Sequence, residues 1–355
     1  MIVWHSNGMK EQNMKMEIFG TLGPSCSDTK TLKRMFENGM TGMRLNLSHT
    51  SLRESEEILS HFHEAAAESG VKADLLIDMQ GPELRVGHFS GERLLKEGDC
   101  VILTEEADDL SDVPAGAQAL PVPDGFLRHL DDGNEILLDD GKLLLRTEEA
   151  GAESAVCRIL RGGGLTARKS IKIVDKPVYG PALTGQDLMN LRDARRYGVT
   201  SVMQPFVRGK DDLQALRRAL EECGAQDLRV FAKIENRQGI AQLENILEEA
   251  DLLVIARGDL GNDMPLWELP AAQKEIEVVC RQKGKPFLVV TQMLTSMIHS
   301  AVPTRAEVSD IFNAVADGAA AVMVTNETAV GEYPAEVIRY LANTAAEAEK
   351  WKNKQ

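Results

Sequence analysis

The chain has 355 residues, 43% hydrophobic and 27% charged, which is enough to bury a core and too apolar for a disordered chain. Its formal net charge of −15 argues against nucleic acid and anionic membranes as partners, and no apolar run approaches the roughly 20 residues of a bilayer span. Five scattered cysteines with no CxxC pair argue against a zinc site or a disulfide framework and for a reducing cytoplasm.

Residues 1–16 lack both a long apolar stretch and a small-residue cleavage site, so they read as a disordered lead-in. Short apolar strands then alternate with helical patterns. "EIFGTL" (17–22) precedes the helix "DTKTLKRMFENG" (28–39), and "GMRLNLS" (42–48) precedes "LRESEEILSHFHEAAAESG" (52–70). "ADLLIDM" (73–79) is the third strand. From about Val86 to Ile173 the alternation stops and the chain turns strand-rich, with Asp132-Gly133 and Asp140-Gly141 as tight turns. The alternation resumes with "TSVMQPF" (200–206), "LRVFAKIE" (228–235), "DLLVIA" (251–256), "PFLVVT" (286–291) and "AAVMVT" (320–325), among them the helices 211–224 and 269–284. Several helices end in glycine, a common stop. After the last strand, Val337, Tyr340, Leu341 and Ala345 recur at helical spacing. Eight strands, each followed by a helix, predict an α/β fold: a (β/α)8 barrel over 17–86 and 174–355, with a β-rich lid over 87–173 inserted after the third strand. A doubly wound sheet is the structural alternative.

Alternate strand residues face the barrel axis. "RVFAKIENRQG" puts Phe231, Lys233 and Glu235 on one face, so an apolar strand carries a cation and an anion into one space. In "GMRLNLSHT" the polar parity is Arg44, Asn46 and Ser48; "ADLLIDM" ends with Asp78. Thr291 closes its strand on the face of Phe287 and Val289, and "LLVIARGDLGND" runs straight into Arg257 and Asp259. The bland readings are a buried Lys233–Glu235 ion pair and an Arg44–Asp78 bridge between neighbouring strands. As a set at one mouth, the residues suit phosphoryl transfer. Glu235 and Asp259 can hold Mg²⁺, Lys233 and Arg44 can neutralise a migrating phosphoryl group, and the amides of Gly258 and Asp259 can take a carboxylate. No Walker motif is present.

The runs "TLGPSC", "GMRLNLSH", "IDMQGPELRVG", "ILLDDG", "PALTGQD", "FVRG", "AKIEN", "IARGDLG", "TQMLTSM", "PTRAEVSD" and "NETAVGEYPAE" resemble, in order, those of the pyruvate kinase family, from about Lys15 to about Glu347. The resemblance implies phosphoenolpyruvate and ADP going to pyruvate and ATP in glycolysis, with Mg²⁺ (or Mn²⁺) and K⁺ as cofactors. It implies that Lys233 stabilises the phosphoryl in flight, that Arg44 contacts it, and that Glu235 and Asp259 bind Mg²⁺. Gly258, Asp259 and Thr291 would hold the substrate carboxylate, with Thr291 beside the carbon that is protonated. Asn46, Ser48, Asp78 and the Met79 carbonyl would cage K⁺; Pro24, His49, Arg85 and Lys169 would lie near the nucleotide phosphates. Glu83 stands where K⁺-dependent members carry Glu. Gln80, Pro205, Thr295 and Val330 depart from the family's usual residues, as do Ser170, Lys172, Thr325, Asn326 and Thr50. The alternatives are a divergent paralogue acting on another phosphoenol or 2-oxo acid, and a non-catalytic ligand-binding sensor. The sequence has no counterpart of the family's C-terminal regulatory domain, so the expectations are hyperbolic saturation without sugar-phosphate activation, and a monomer or a homodimer through the barrel.

Overall fold

The computed structural model describes residues 16–48, 50–105, 118–139, 141–174, 176, 178 and 180–354. The expected lead-in, apart from Met16, and His49 lie outside them. The chain divides into two compact units: Met1–Met79 with Met189–Gln355, and Gln80–Leu188.

The first unit is the barrel. Its strands are β1 (Glu17–Thr21), β2 (Gly42–Asn46) and β3 (Asp74–Asp78) before the insertion. The insertion carries β4 (Glu92–Leu95), β5 (Cys100–Thr104), β6 (Gln118–Pro121), β7 (Glu135–Leu138), β8 (Leu143–Ala150), β9 (Ser154–Arg161), β10 (Gly163–Thr166) and β11 (Ile171–Ile173). The barrel resumes with β12 (Ser201–Gln204), β13 (Arg229–Ile234), β14 (Leu252–Ala256), β15 (Phe287–Val290) and β16 (Ala321–Met323). The eight barrel strands are all parallel and close in the order β1-β16-β15-β14-β13-β12-β3-β2, as the alternation predicts. Strands β14 and β15 are buried at every position, as expected of parallel strands covered on both faces. The axis is filled by Phe19, Leu76, Met203, Phe231, Leu252, Val254, Leu288, Val290 and Met323. Helices expected to end on glycine do so: Gly70, Gly224 and Gly284 each take a left-handed φ just past one. The last helix, Pro334–Lys352, buries Val337, Ile338, Leu341 and Ala345. Ile338 thus takes the inward place that spacing assigned to Tyr340, which is half-buried.

Gly42 opens β2 because the barrel is narrow there. A Cβ would lie 2.5 Å from the Phe19 ring and 2.9 Å from the Asp74 carbonyl. Gly42→Ala should therefore destabilise the fold by about 1–3 kcal/mol, read as a lower denaturant midpoint at unchanged slope. Unchanged stability would show that Phe19 can give way.

The second unit contains a six-stranded sheet, β11-β7-β8-β9-β5-β6, and a two-stranded one, β10-β4. Burial alternates along β9, the signature of a sheet with one wet face. The β7–β8 hairpin turns through Asp139 and Gly141, both at positive φ. Among the described residues no helix is long and apolar enough to cross a membrane.

Candidate active site

The interior parity of β13 reads as a column. Arg229 lies at its N-terminal end, where it pairs with Glu17 at 3.0 Å. Phe231 fills the axis, Lys233 follows, and Glu235 stands just past the strand. Lys233 Nζ lies 2.8 Å from Glu235 Oε1 and 3.3 Å from Asp78 Oδ2. From β2, Arg44 donates to the same Asp78 oxygen through Nη2 at 2.7 Å and Nε at 2.9 Å. Register explains this meeting, because Asn46 pairs with Asp78 and Thr21 with Arg44. Both ion pairs that the bland readings foresaw are present, but they share Asp78 and form one network.

The network is nearly dry. Side-chain exposure is 12% for Arg44 and Lys233, 3% for Asp78 and 0% for Glu235. Burial alone would pull the Lys233 ammonium down, but Asp78 and Glu235 outweigh it and hold Lys233 above its ordinary value. Burial likewise pushes Asp78 up, and here Lys233 and Arg44 prevail, keeping it below the usual carboxylate range. For Glu235, burial wins and carries the carboxyl up to about 8, against Lys233 and with Asp259 adding to the rise. Glu235 Oε2 accepts from the Phe206 amide at 2.7 Å. Its Oε1 faces the Lys233 ammonium at 2.8 Å, whereas Asp78 Oδ1 is a buried carboxylate oxygen with no hydrogen-bond partner among the described residues. Such an oxygen is costly unless it faces positive charge. With Asp259, the cluster sets three carboxylates against the two cations Arg44 and Lys233. Both features fit a bound cation. Among the described residues no three His, Cys, Asp or Glu side chains converge as a ready cage; Glu235 and Asp259 would supply two ligands, the rest coming from substrate and water.

Asn46 and Ser48 follow Arg44 along β2 and its turn, where Asn46 Oδ1 accepts from the Ser48 amide at 3.1 Å. Met79 is buried beside Asp78, its amide held by the Met203 carbonyl at 3.1 Å. Gly258 and Asp259 lie in the short helix Arg257–Asn262 directly after β14. A Cβ on Gly258 would lie 3.0 Å from Thr291 Cγ2, so any larger residue would press Thr291 away by a few tenths of an ångström.

Thr291 arrives by a different route from the one parity predicted. The axis-facing residues of β15 are Leu288 and Val290, not Phe287 and Val289. Thr291 has left the strand, with φ +80°, and the turned backbone rather than strand alternation brings it to Gly258. Arg257, read as a polar residue that β14 runs into at the mouth, is committed to the Thr291 carbonyl and to Asp310.

Pro24 is exposed in a single 3-10 turn after β1. Arg85 and Lys169 belong to the second unit, where Arg85 bridges antiparallel to Ser170. Arg85 pairs with Glu83, and Lys169 reaches Asp139 at 3.1 Å. Two buried residues escaped the sequence reading. Thr21 accepts from Arg44 Nη1 at 3.3 Å and donates to the Val324 carbonyl at 2.9 Å; its interior place on β1 was the available signal. Glu327 ties two loops together by accepting from the amides of Leu294 and Thr325. It sits inside the run "NETAVGEYPAE" but on no strand, so parity could not find it.

Comparison with known proteins gives a match to the family described as pyruvate kinase, barrel domain, over residues 13–338. Curated pyruvate kinases are similar along nearly the whole chain. That of Leishmania mexicana is 34% identical over 335 residues, covering 94% of this chain and 66% of the relative. That of Bacillus licheniformis is 34% identical over 339 residues, covering 95% and 57%. That of Thermococcus litoralis is 34% identical over 348 residues, covering 97% and 72%. The chain thus spans less than two thirds of the length of the first two of these relatives.

Proposed function

Since the chain belongs to the pyruvate kinase family, we propose that it transfers a phosphoryl group from phosphoenolpyruvate to ADP, giving pyruvate and ATP. The observation that carries this reading is the shared network at the barrel mouth. Two nearly buried cations, Arg44 and Lys233, meet on one oxygen of Asp78, Lys233 also reaches Glu235 at 2.8 Å, and the other oxygen of Asp78 has no hydrogen-bond partner among the described residues.

Lys233 and Arg44 would meet the phosphoryl oxygens as they pass between the two substrates. Lys233 is fixed on a strand and held charged by its neighbours, so it need not reorganise as charge moves. The amides of Gly258 and Asp259, with Thr291, would orient the substrate carboxylate, and Thr291 would stand beside the carbon that gains a proton. Glu235 and Asp259 would hold a divalent cation, which when bound would offset charge on the phosphoryl and enolate oxygens. Asn46, Ser48, Asp78 and the Met79 carbonyl would hold K⁺. Pro24, His49, Arg85 and Lys169 would serve the nucleotide phosphates. Cytoplasmic residence and a monomer or barrel-mediated homodimer complete the reading.

A lactate-dehydrogenase-coupled assay with phosphoenolpyruvate, ADP, Mg²⁺ and K⁺ tests it. Steady turnover is the expected result; ligand binding without turnover would favour a sensor, and turnover only with another phosphoenol or 2-oxo acid would favour a different substrate. The same assay should show dependence on K⁺, because Glu83 leaves a monovalent cation to supply the positive charge that a lysine there would bring. Full activity in buffer free of K⁺ and Na⁺ would sink that assignment.

A further inference from the structure

We propose that Arg257 is a positioning residue: its guanidinium, braced by Asp310, holds Thr291 in the left-handed conformation that seats its side chain against Gly258. This rests on the reading that Gly258, Asp259 and Thr291 receive the substrate carboxylate.

β15 ends at Val290, and the next two residues are non-glycine residues at positive φ, +80° for Thr291 and +56° for Gln292. A β-branched residue at such an angle is an outlier, and each strained residue of this kind costs about 1–3 kcal/mol, so the surroundings must hold it. The holding groups are visible. Arg257 donates to the Thr291 carbonyl twice, through Nη2 at 2.7 Å and Nε at 3.1 Å. The same Nη2 lies 2.9 Å from Met293 Sδ. Nη1 donates to Asp310 Oδ1 at 2.9 Å, and Asp310 Oδ2 lies 2.8 Å away. All three guanidinium nitrogens are engaged and the side chain is only 12% exposed.

The consequence is geometric. Arg257 is the residue before Gly258, and its side chain grips the backbone of Thr291. One residue thereby fixes the spacing between the loop after β14 and the loop after β15. Asp310, on the outer helix Arg305–Ala316, fixes the guanidinium in turn. Lysine could not substitute, because a single ammonium cannot bond the Thr291 carbonyl twice and Asp310 at once.

The test compares the parent chain with Arg257→Lys and Asp310→Asn in turnover, in calorimetric binding of oxalate (a planar stand-in for the enolate) with Mg²⁺, and in thermal unfolding. Misplacing Thr291 should lower kcat/KM for phosphoenolpyruvate about 100-fold in Arg257→Lys and weaken oxalate in parallel, while the KM for ADP stays unchanged. Asp310→Asn keeps the bonds to Thr291 but loosens the brace, so it should shift the same quantities less. If Arg257→Lys does not fold, Asp310→Asn carries the test on the same readouts. A lower unfolding midpoint with unchanged kcat/KM and oxalate affinity would overturn the clamp, leaving Arg257 a structural ion-pair residue. A parent chain that neither turned over nor bound oxalate would overturn the proposed reaction and the clamp with it. An active parent matched by both variants would overturn the clamp alone.

Discussion

Lys233→Met should cut phosphoryl transfer by about 1000-fold while sparing the enolisation of bound pyruvate far more. The ammonium sits 2.8 Å from Glu235 and 3.3 Å from Asp78 at the end of a rigid strand, and its carboxylate neighbours keep it charged. Methionine fills similar space without charge, so the phosphoryl would lose one of two cations there, the other being Arg44. Proton exchange at the methyl carbon of pyruvate involves no phosphoryl migration and so depends on Lys233 much less. The substitution also leaves buried carboxylates short of a partner, a change that commonly costs about 3–5 kcal/mol. Activity must therefore be read on protein shown to be folded by circular dichroism. Equal loss of both activities in a folded variant would contradict the assigned role.

The second large effect is at Glu235. Glu235→Gln keeps an oxygen to accept from the Phe206 amide, so the β12 loop should hold its place, and Asp78 remains to pair with Lys233. What is lost is one of two anionic ligands for the divalent cation. Activity should fall by more than the about 10–100-fold that changes around a metal's ligands cause, and higher Mg²⁺ or Mn²⁺ should restore part of it. Titration calorimetry with Mg²⁺ reads the effect directly. An unchanged Mg²⁺ dependence would place the metal on other residues.

Much of this site was legible because a strand has a period of two. Arg44, Asn46, Asp78, Lys233 and Glu235 are all placed by that rule, and the register of β2 against β3 brings the first three together. The rule fails where strands end. Thr291 reaches Gly258 through a positive φ, and neither threonine nor glutamine prefers that conformation, so no local signal announces it. The partners of Arg257 were hidden for the same reason: Thr291 and Asp310 come from 34 and 53 residues away. Glu327 is fixed by loops distant in sequence, which alternation along one strand cannot reveal, whereas Thr21 sits at an interior position of β1 that the same rule covers. Within the second unit, Asp140 of the expected turn lies outside the described residues, while Gly141 takes the positive φ that a tight turn between β7 and β8 calls for.

The position of the insertion has a kinetic side. The barrel closes along two seams, and both join parts of the chain that are far apart. The Leu75 amide bonds to Thr200 Oγ1 across 125 residues, and Thr21 meets Thr328 across 307. The second sheet is largely built from neighbours in sequence, β7 with β8 and β8 with β9. Contacts of long separation form slowly, whereas each doubling of a closing loop costs only about 0.6 kcal/mol. An insertion after β3 therefore costs the closed barrel only about 1–2 kcal/mol in loop entropy, and the local hairpins of the second sheet are the pairings expected to form first.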